Sequence, residues 1–138
     1  MSKYNSKKVE YKGIQFDSKI ECDYFKELEL KVDNGEIKSF SIQPKYVLIP
    51  KFTKFNIKYR EMTYTPDFLI EYNDGSKVLV DIKGFGNQQS EMRRKLFDYF
   101  YQDVNLIWLT YSKKYGGWIL YEELIKLRKL NKKDKLNE

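Results

Sequence analysis

Histidine is absent from this chain of 138 residues, and cysteine occurs once, at Cys22. The missing imidazole removes the serine and cysteine triads that use it as base, the histidine-metal nucleases and the zinc peptidases. One thiol allows no intramolecular disulfide and no thiolate zinc site, which suits a reducing compartment; Cys22 reads as a packed or half-exposed helix residue rather than a nucleophile. Long apolar runs are also missing. None approaches the roughly 18 residues that span a membrane, and the opening MSKYNSKKVEYKG has no apolar signal core behind its lysines. We therefore expect a soluble, cytoplasmic protein with no membrane partner. Any catalysis must run on carboxylates, lysines or tyrosines, with or without a metal held by oxygen.

Hydrophobic residues make up 41% of the chain and aromatics 17%, enough to close one core. There is no internal repeat and no Pro/Gly/Ser linker. A single domain over residues 1–138 is expected, with a basic N-terminal arm (about 1–12) and a basic C-terminal tail (about 126–138). The net charge of +6 is concentrated at those ends. Basic ends on a near-neutral body suit a polyanion, because neutralising phosphates releases counterions; a solubilising tail explains the charge alone equally well.

The segment FDSKIECDYFKELELKVDNGEI carries Asp17 or Ser18 as a candidate N-cap and stops at Asn34-Gly35, which predicts a helix over about 18–33. Ile20, Tyr24, Phe25, Leu28 and Val32 form its apolar face, and Glu21 falls near the centre of that stripe. A carboxylate avoids such a place unless it is paired or functional. IKSFSIQPKYVLIP and KFNIKYREMTYTPDFLIEY read as strands, and an Asn73-Asp74-Gly75 turn joins TPDFLIEY to KVLVDIKG as a hairpin. SEMRRKLFDYFYQ reads as a helix with Met92, Leu96, Phe97 and Phe100 inward. VNLIWLTYS is a buried strand, with Trp108 in the core, and WILYEELIKLRKL a helix or a strand running into one. The expected class is α/β (α+β): a mixed central sheet flanked by helices, with a right-handed crossover between parallel strands.

Alternation along a strand puts Asp81 and Lys83 on one face, and Asp67, Leu69 and Glu71 on one face of the preceding arm. With the turn near residue 74, Asp67 lies on the arm opposite Asp81 and is its near neighbour if the register is simple. Two adjacent carboxylates repel unless something positive lies between them. Lys83 is one candidate; a divalent cation is the better one, and oxygen ligands select Mg2+ or Mn2+.

The elements YKGIQFDSKIE, SIQPKY, YTPDF, VDIKG and MRRKLF, in this order, resemble the PD-(D/E)xK nuclease superfamily. More narrowly, they resemble a group of small phage and prophage proteins that are uncharacterised or described as endonucleases by inference. The resemblance spans roughly residues 11–100. It implies a restriction-endonuclease-like αβββαβ core in which Asp67 and Asp81 ligate the metal, with the Ile82 carbonyl as a further ligand. Lys83 would orient the attacking water and stabilise charge on the scissile phosphate, and Glu21 would hold a second metal or its water. Aspartate at position 81 stands where many members have glutamate.

Three further residues are weaker expectations for DNA contact: Gln43, which as readily bonds backbone at a strand end, and Arg93 and Lys95 on the second helix. The leading expectation is a Mg2+-dependent endodeoxyribonuclease acting on branched or double-stranded DNA in phage DNA metabolism, in a bacterial host cytoplasm if phage-encoded. Junction cleavage would require a homodimer. A non-catalytic nucleic-acid-binding module, or a protein-interaction factor on a nuclease-like scaffold, is the alternative.

Overall fold

The computed structural model describes residues 7–84 and 86–136. The chain begins with a small antiparallel hairpin, β1 (Val9–Tyr11) and β2 (Ile14–Phe16), turning at Lys12 and Gly13, both at positive φ. The expected N-terminal arm is thus a strand from Val9 onward, packed beside the first helix; residues 1–6 of that arm lie outside the described residues. Helix α1 (Lys19–Asp33) starts where expected, with Ser18 Oγ accepting the Glu21 N–H at 3.2 Å. It ends at Asn34, and the chain leaves through Gly35 at φ 75°, a backbone conformation that glycine adopts without strain.

The strands that follow are β3 (Ser39–Ile42), β4 (Tyr46–Ile49), β5 (Phe52–Lys54), β6 (Ile57–Tyr59), β7 (Met62–Tyr64), β8 (Phe68–Glu71) and β9 (Lys77–Ile82). Helix α2 (Gln88–Phe100), β10 (Leu106–Ser112), a 3-10 turn over Lys113–Tyr115, β11 (Gly117–Leu120) and α3 (Tyr121–Leu136) complete it. The main sheet has the order β11-β10-β9-β8-β3. Only the β9–β10 pair is parallel, and α2 makes the crossover between them. The expected mixed sheet with flanking helices is the fold. The basic C-terminal tail continues α3 through Leu136, and its last two residues lie outside the described residues.

Strand β9 decides where the two halves of the core meet. Its alternation sends Val78, Val80 and Ile82 to one side, where Cys22, Tyr24, Phe25 and Leu28 of α1 cover them; Cys22 is 1% exposed. Leu79 faces the other way, packed with Leu106, Leu48, Tyr64 and Phe97 of α2. Asp81 follows Leu79 on that second side.

One expectation about α2 fails. Phe97 is fully buried and Leu96 packs against the second core, but Met92 and Phe100 are 59% and 51% exposed. The helix is turned so that its arginines face the body: Arg93 donates to the Thr63 carbonyl at 2.6 Å and the Arg94 guanidinium lies 4.7 Å from the centre of the Trp108 ring. Long cationic side chains can take inward positions when their stems pack and their heads find partners, and apolar periodicity alone does not see them. No helix among the described residues is long and apolar enough to cross a membrane.

A buried carboxylate pair at the end of the central strand

The antiparallel register of β8 and β9 pairs Phe68 with Val80, so one step beyond it Asp67 stands opposite Asp81. That is the adjacency expected from the hairpin. Asp81 is 6% exposed, and Asp67 is half-buried just before β8. One Asp67 oxygen, Oδ2, accepts the Ile82 N–H at 2.8 Å. Asp81 Oδ2 accepts the Tyr64 hydroxyl at 2.6 Å and lies 3.3 Å from Lys83 Nζ.

Tyr64 is held from behind. Trp108 Nε1–H donates to its hydroxyl oxygen at 2.9 Å, and the β9–β10 register places Trp108 directly beside Asp81. Lys83 Nζ sits 4.8 Å from the centre of the same indole ring. An indole, a phenol and an ammonium from three segments therefore fix one carboxylate, and among the described residues no buried side-chain polar atom lacks a partner. Sequence reading saw Trp108 only as core and did not single out Tyr64. The only signal was Tyr64 in YTPDF, two residues ahead of Pro66, and its meaning depends on strand register.

Burial and two neighbouring carboxylates set the electrostatics. Desolvation, followed by the Asp81 charge, holds the Asp67 carboxyl far above the ordinary carboxylate range. Glu21 is pushed up to about 7, first by burial and then by Asp17 and Asp81. Burial, then the Asp81 charge, also raises Tyr64, so its proton stays on the phenol and remains available to Asp81. Without a cation the pair is an energetic liability, relieved by keeping a proton.

Glu21, Gln43 and Asp67 line one narrow crevice with Phe16, Ile42 and Phe68. Gln43 is at φ 52°, an uncommon conformation for a residue with a Cβ, and its N–H donates to the Asp67 carbonyl at 2.9 Å. The turn out of β3 is thus pinned against Asp67, and Gln43 joins the site more closely than its sequence suggested. Arg93 is half-buried and engaged with the β7 backbone, whereas Lys95 is exposed in a groove with Glu91, Arg94, Asp98, Trp108 and Tyr121. The Ile82 side chain belongs to the α1 core; its carbonyl closes β9 next to the pair.

Among the described residues no three carboxylates or cysteines gather closely enough to hold a metal ion together. The donor set suits a hard cation held by two carboxylates and completed by water and a substrate oxygen, the habit of magnesium. Asp67 and Asp81 fit that demand; Glu21 stands within their electrostatic reach but outside the pair.

The model of a family described as "Protein of unknown function (DUF1064)" matches residues 1–117. No curated protein and no solved structure matches the chain.

Proposed function

The chain belongs to the DUF1064 family, and from its site geometry we propose that it is a metal-dependent nuclease that hydrolyses DNA phosphodiesters, structure-selective or weakly sequence-specific. The observation that carries this reading is the opposed pair Asp67 and Asp81 with Lys83 3.3 Å from the second acid. A bound Mg2+ or Mn2+ would make histidine unnecessary for this chemistry, by lowering the pKa of a bound water and offsetting charge on the phosphate.

Asp67 and Asp81 would hold the cation, with the Ile82 carbonyl as the expected further oxygen. Tyr64 and Trp108 keep Asp81 in one orientation. Lys83 brings a positive charge to the phosphate and orients the attacking water. Glu21, its carboxyl pushed up to about 7, is placed to accept a proton and would hold a second ion or its water if one binds. Gln43 positions the strand end that carries Asp67. The resemblance to small phage and prophage endonucleases supports DNA rather than RNA as the substrate.

The deciding experiment is cleavage of supercoiled plasmid, single strands and a four-way junction by wild type and Asp81→Ala, with magnesium, manganese or EDTA. Metal-dependent cutting by wild type alone is expected. A non-catalytic nucleic-acid-binding module is the second reading, favoured by the lack of a third carboxylate in the pair's group among the described residues. It predicts binding to DNA that survives Asp81→Asn and never proceeds to cleavage.

A further inference from the structure

Residues 51–60, KFTKFNIKYR, carry Lys51, Lys54, Lys58 and Arg60 and no acid. They form a two-stranded ribbon, β5 with β6, that turns at Phe55 and Asn56, both at positive φ. Every one of the ten residues is exposed, including Phe52 at 46%, Phe55 at 87%, Ile57 at 55% and Tyr59 at 45%. A ribbon of this size has no core of its own and is marginal by itself. It is carried by the β4–β7 pair, whose backbone is bolted to α2 by Tyr101 donating to the Val47 carbonyl at 2.7 Å and Arg93 donating to that of Thr63.

Register and alternation give the ribbon two different faces. Phe52 pairs with Tyr59 and Lys54 with Ile57, so one face carries Phe52, Tyr59 and Ile57 with Lys54 beside them, the Phe52 and Tyr59 rings stacked at 4.6 Å and 11°. Thr53 pairs with Lys58, and the same register carried one step outward sets Lys51 against Arg60 on that second face. Cations placed opposite and beside one another weaken a hairpin unless an anion joins them. None of these four takes part in an ion pair among the described residues, and the nearest acid in sequence, Glu61, is held by Lys45 at 2.8 Å. Exposed aromatics beside unpaired cations are what a nucleic acid with unstacked bases requires: phosphates for one face, base planes for the other.

We propose that the β5–β6 ribbon is a DNA-engaging arm that selects substrates with unpaired bases next to a duplex. The identity of the polyanion rests on the nuclease reading; the ribbon itself does not use the metal site. A second copy of the chain is a poorer occupant, because pairing ribbon with ribbon brings four uncompensated cations against four more. The arm is also tied to the chemistry. Nine residues separate Phe55 from Tyr64, which holds Asp81, so at ~3.3 Å per residue the tip reaches at most ~30 Å from that end of the site, about one duplex turn.

The test is fluorescence anisotropy of the full chain in EDTA with three labelled probes: a splayed fork, a single strand and a blunt duplex. Circular dichroism checks that each variant folds. Phe52→Ala with Tyr59→Ala, and separately Phe55→Ala, should weaken fork and single-strand binding about tenfold or more and leave the duplex nearly unchanged. Lys58→Ala with Arg60→Ala should weaken all three probes and flatten the salt dependence by about one unit of slope per lost phosphate contact. Unchanged affinity in both sets overturns the proposal. So does an aromatic variant that turns a dimer into a monomer in sedimentation while binding DNA normally, since the ribbon would then be a protein interface. Failure of the nuclease reading looks different: no probe is cut with magnesium present, while the ribbon variants still lose binding.

Discussion

Replacing Asp67 by asparagine should make the metal-free protein more stable at neutral and alkaline pH. The two carboxylates occupy directly opposed positions, where Cβ atoms stand about 5 Å apart. At an effective dielectric near 20, two like charges at that separation repel by ~3 kcal/mol, before the desolvation that is the larger cause of the Asp67 shift. The folded protein avoids this by keeping the Asp67 proton, whereas the unfolded chain releases it near its ordinary value of 3.8. A carboxyl raised on folding contributes fully below the unfolded value and loses that contribution as pH rises toward the folded one. Metal-free wild type should therefore lose stability above about pH 4, with a limiting slope of ~1.4 kcal/mol per pH unit from this group. Asparagine keeps the shape and an oxygen for the Ile82 N–H and removes the titration. Urea unfolding in EDTA across pH 5 to 9 should show the variant's lead widen with pH, by at most ~4 kcal/mol between pH 5 and pH 8 at that limiting slope. Glu21 titrates in both proteins, and its charge, which helps to raise Asp67, is one more repulsion that the variant lacks. Saturating magnesium should reverse the order, because only wild type gains the ion. A wild-type curve flat with pH, or a variant no more stable at pH 8, would refute the reasoning.

Tyr64→Phe removes the hydroxyl that donates to Asp81 and accepts from Trp108; leaving the buried indole N–H and the carboxylate short of a partner should cost ~2–5 kcal/mol in urea unfolding. Lys83→Ala should bind a labelled duplex as wild type does and cut it at least ~100-fold more slowly in single-turnover assays, a loss typical of one charge-stabilising group; equal losses of binding and cutting would reduce Lys83 to a phosphate contact. Phe97→Ala, emptying a fully buried ring site between α2, Tyr46, Tyr64 and Tyr101, should cost ~3–5 kcal/mol by thermal or urea denaturation.

The elements that were legible in the sequence are those whose signals are local. Ser18 and Gly35 bracket α1, Asn73-Asp74-Gly75 makes its turn, and the unbroken apolar run makes β10 a buried strand. The hairpin register follows from that turn, so the adjacency of Asp67 and Asp81 was legible too. Tyr64 and Trp108 were not, because they meet Asp81 through a parallel strand pair and a separate strand distant in sequence. The rotation of α2 escaped for a related reason: Arg93 and Arg94 turn inward only because a carbonyl and an indole await them. Gln43 is the intermediate case. Its place beside Pro44 marked a strand end, but its positive φ and its share of the Glu21 crevice are products of the folded chain.

Cys22 is next to Glu21 in sequence, and its side chain is sealed between α1 and the sheet at 1% exposure. Being the single thiol in the chain, it gives the molecule a built-in clock: a thiol reagent can react only when α1 lifts from the strands that carry the acids. The rate of labelling therefore times the opening of this face, without any added probe. Ions that bind at Asp67 and Asp81 should lengthen that time in proportion to their hold on the closed state.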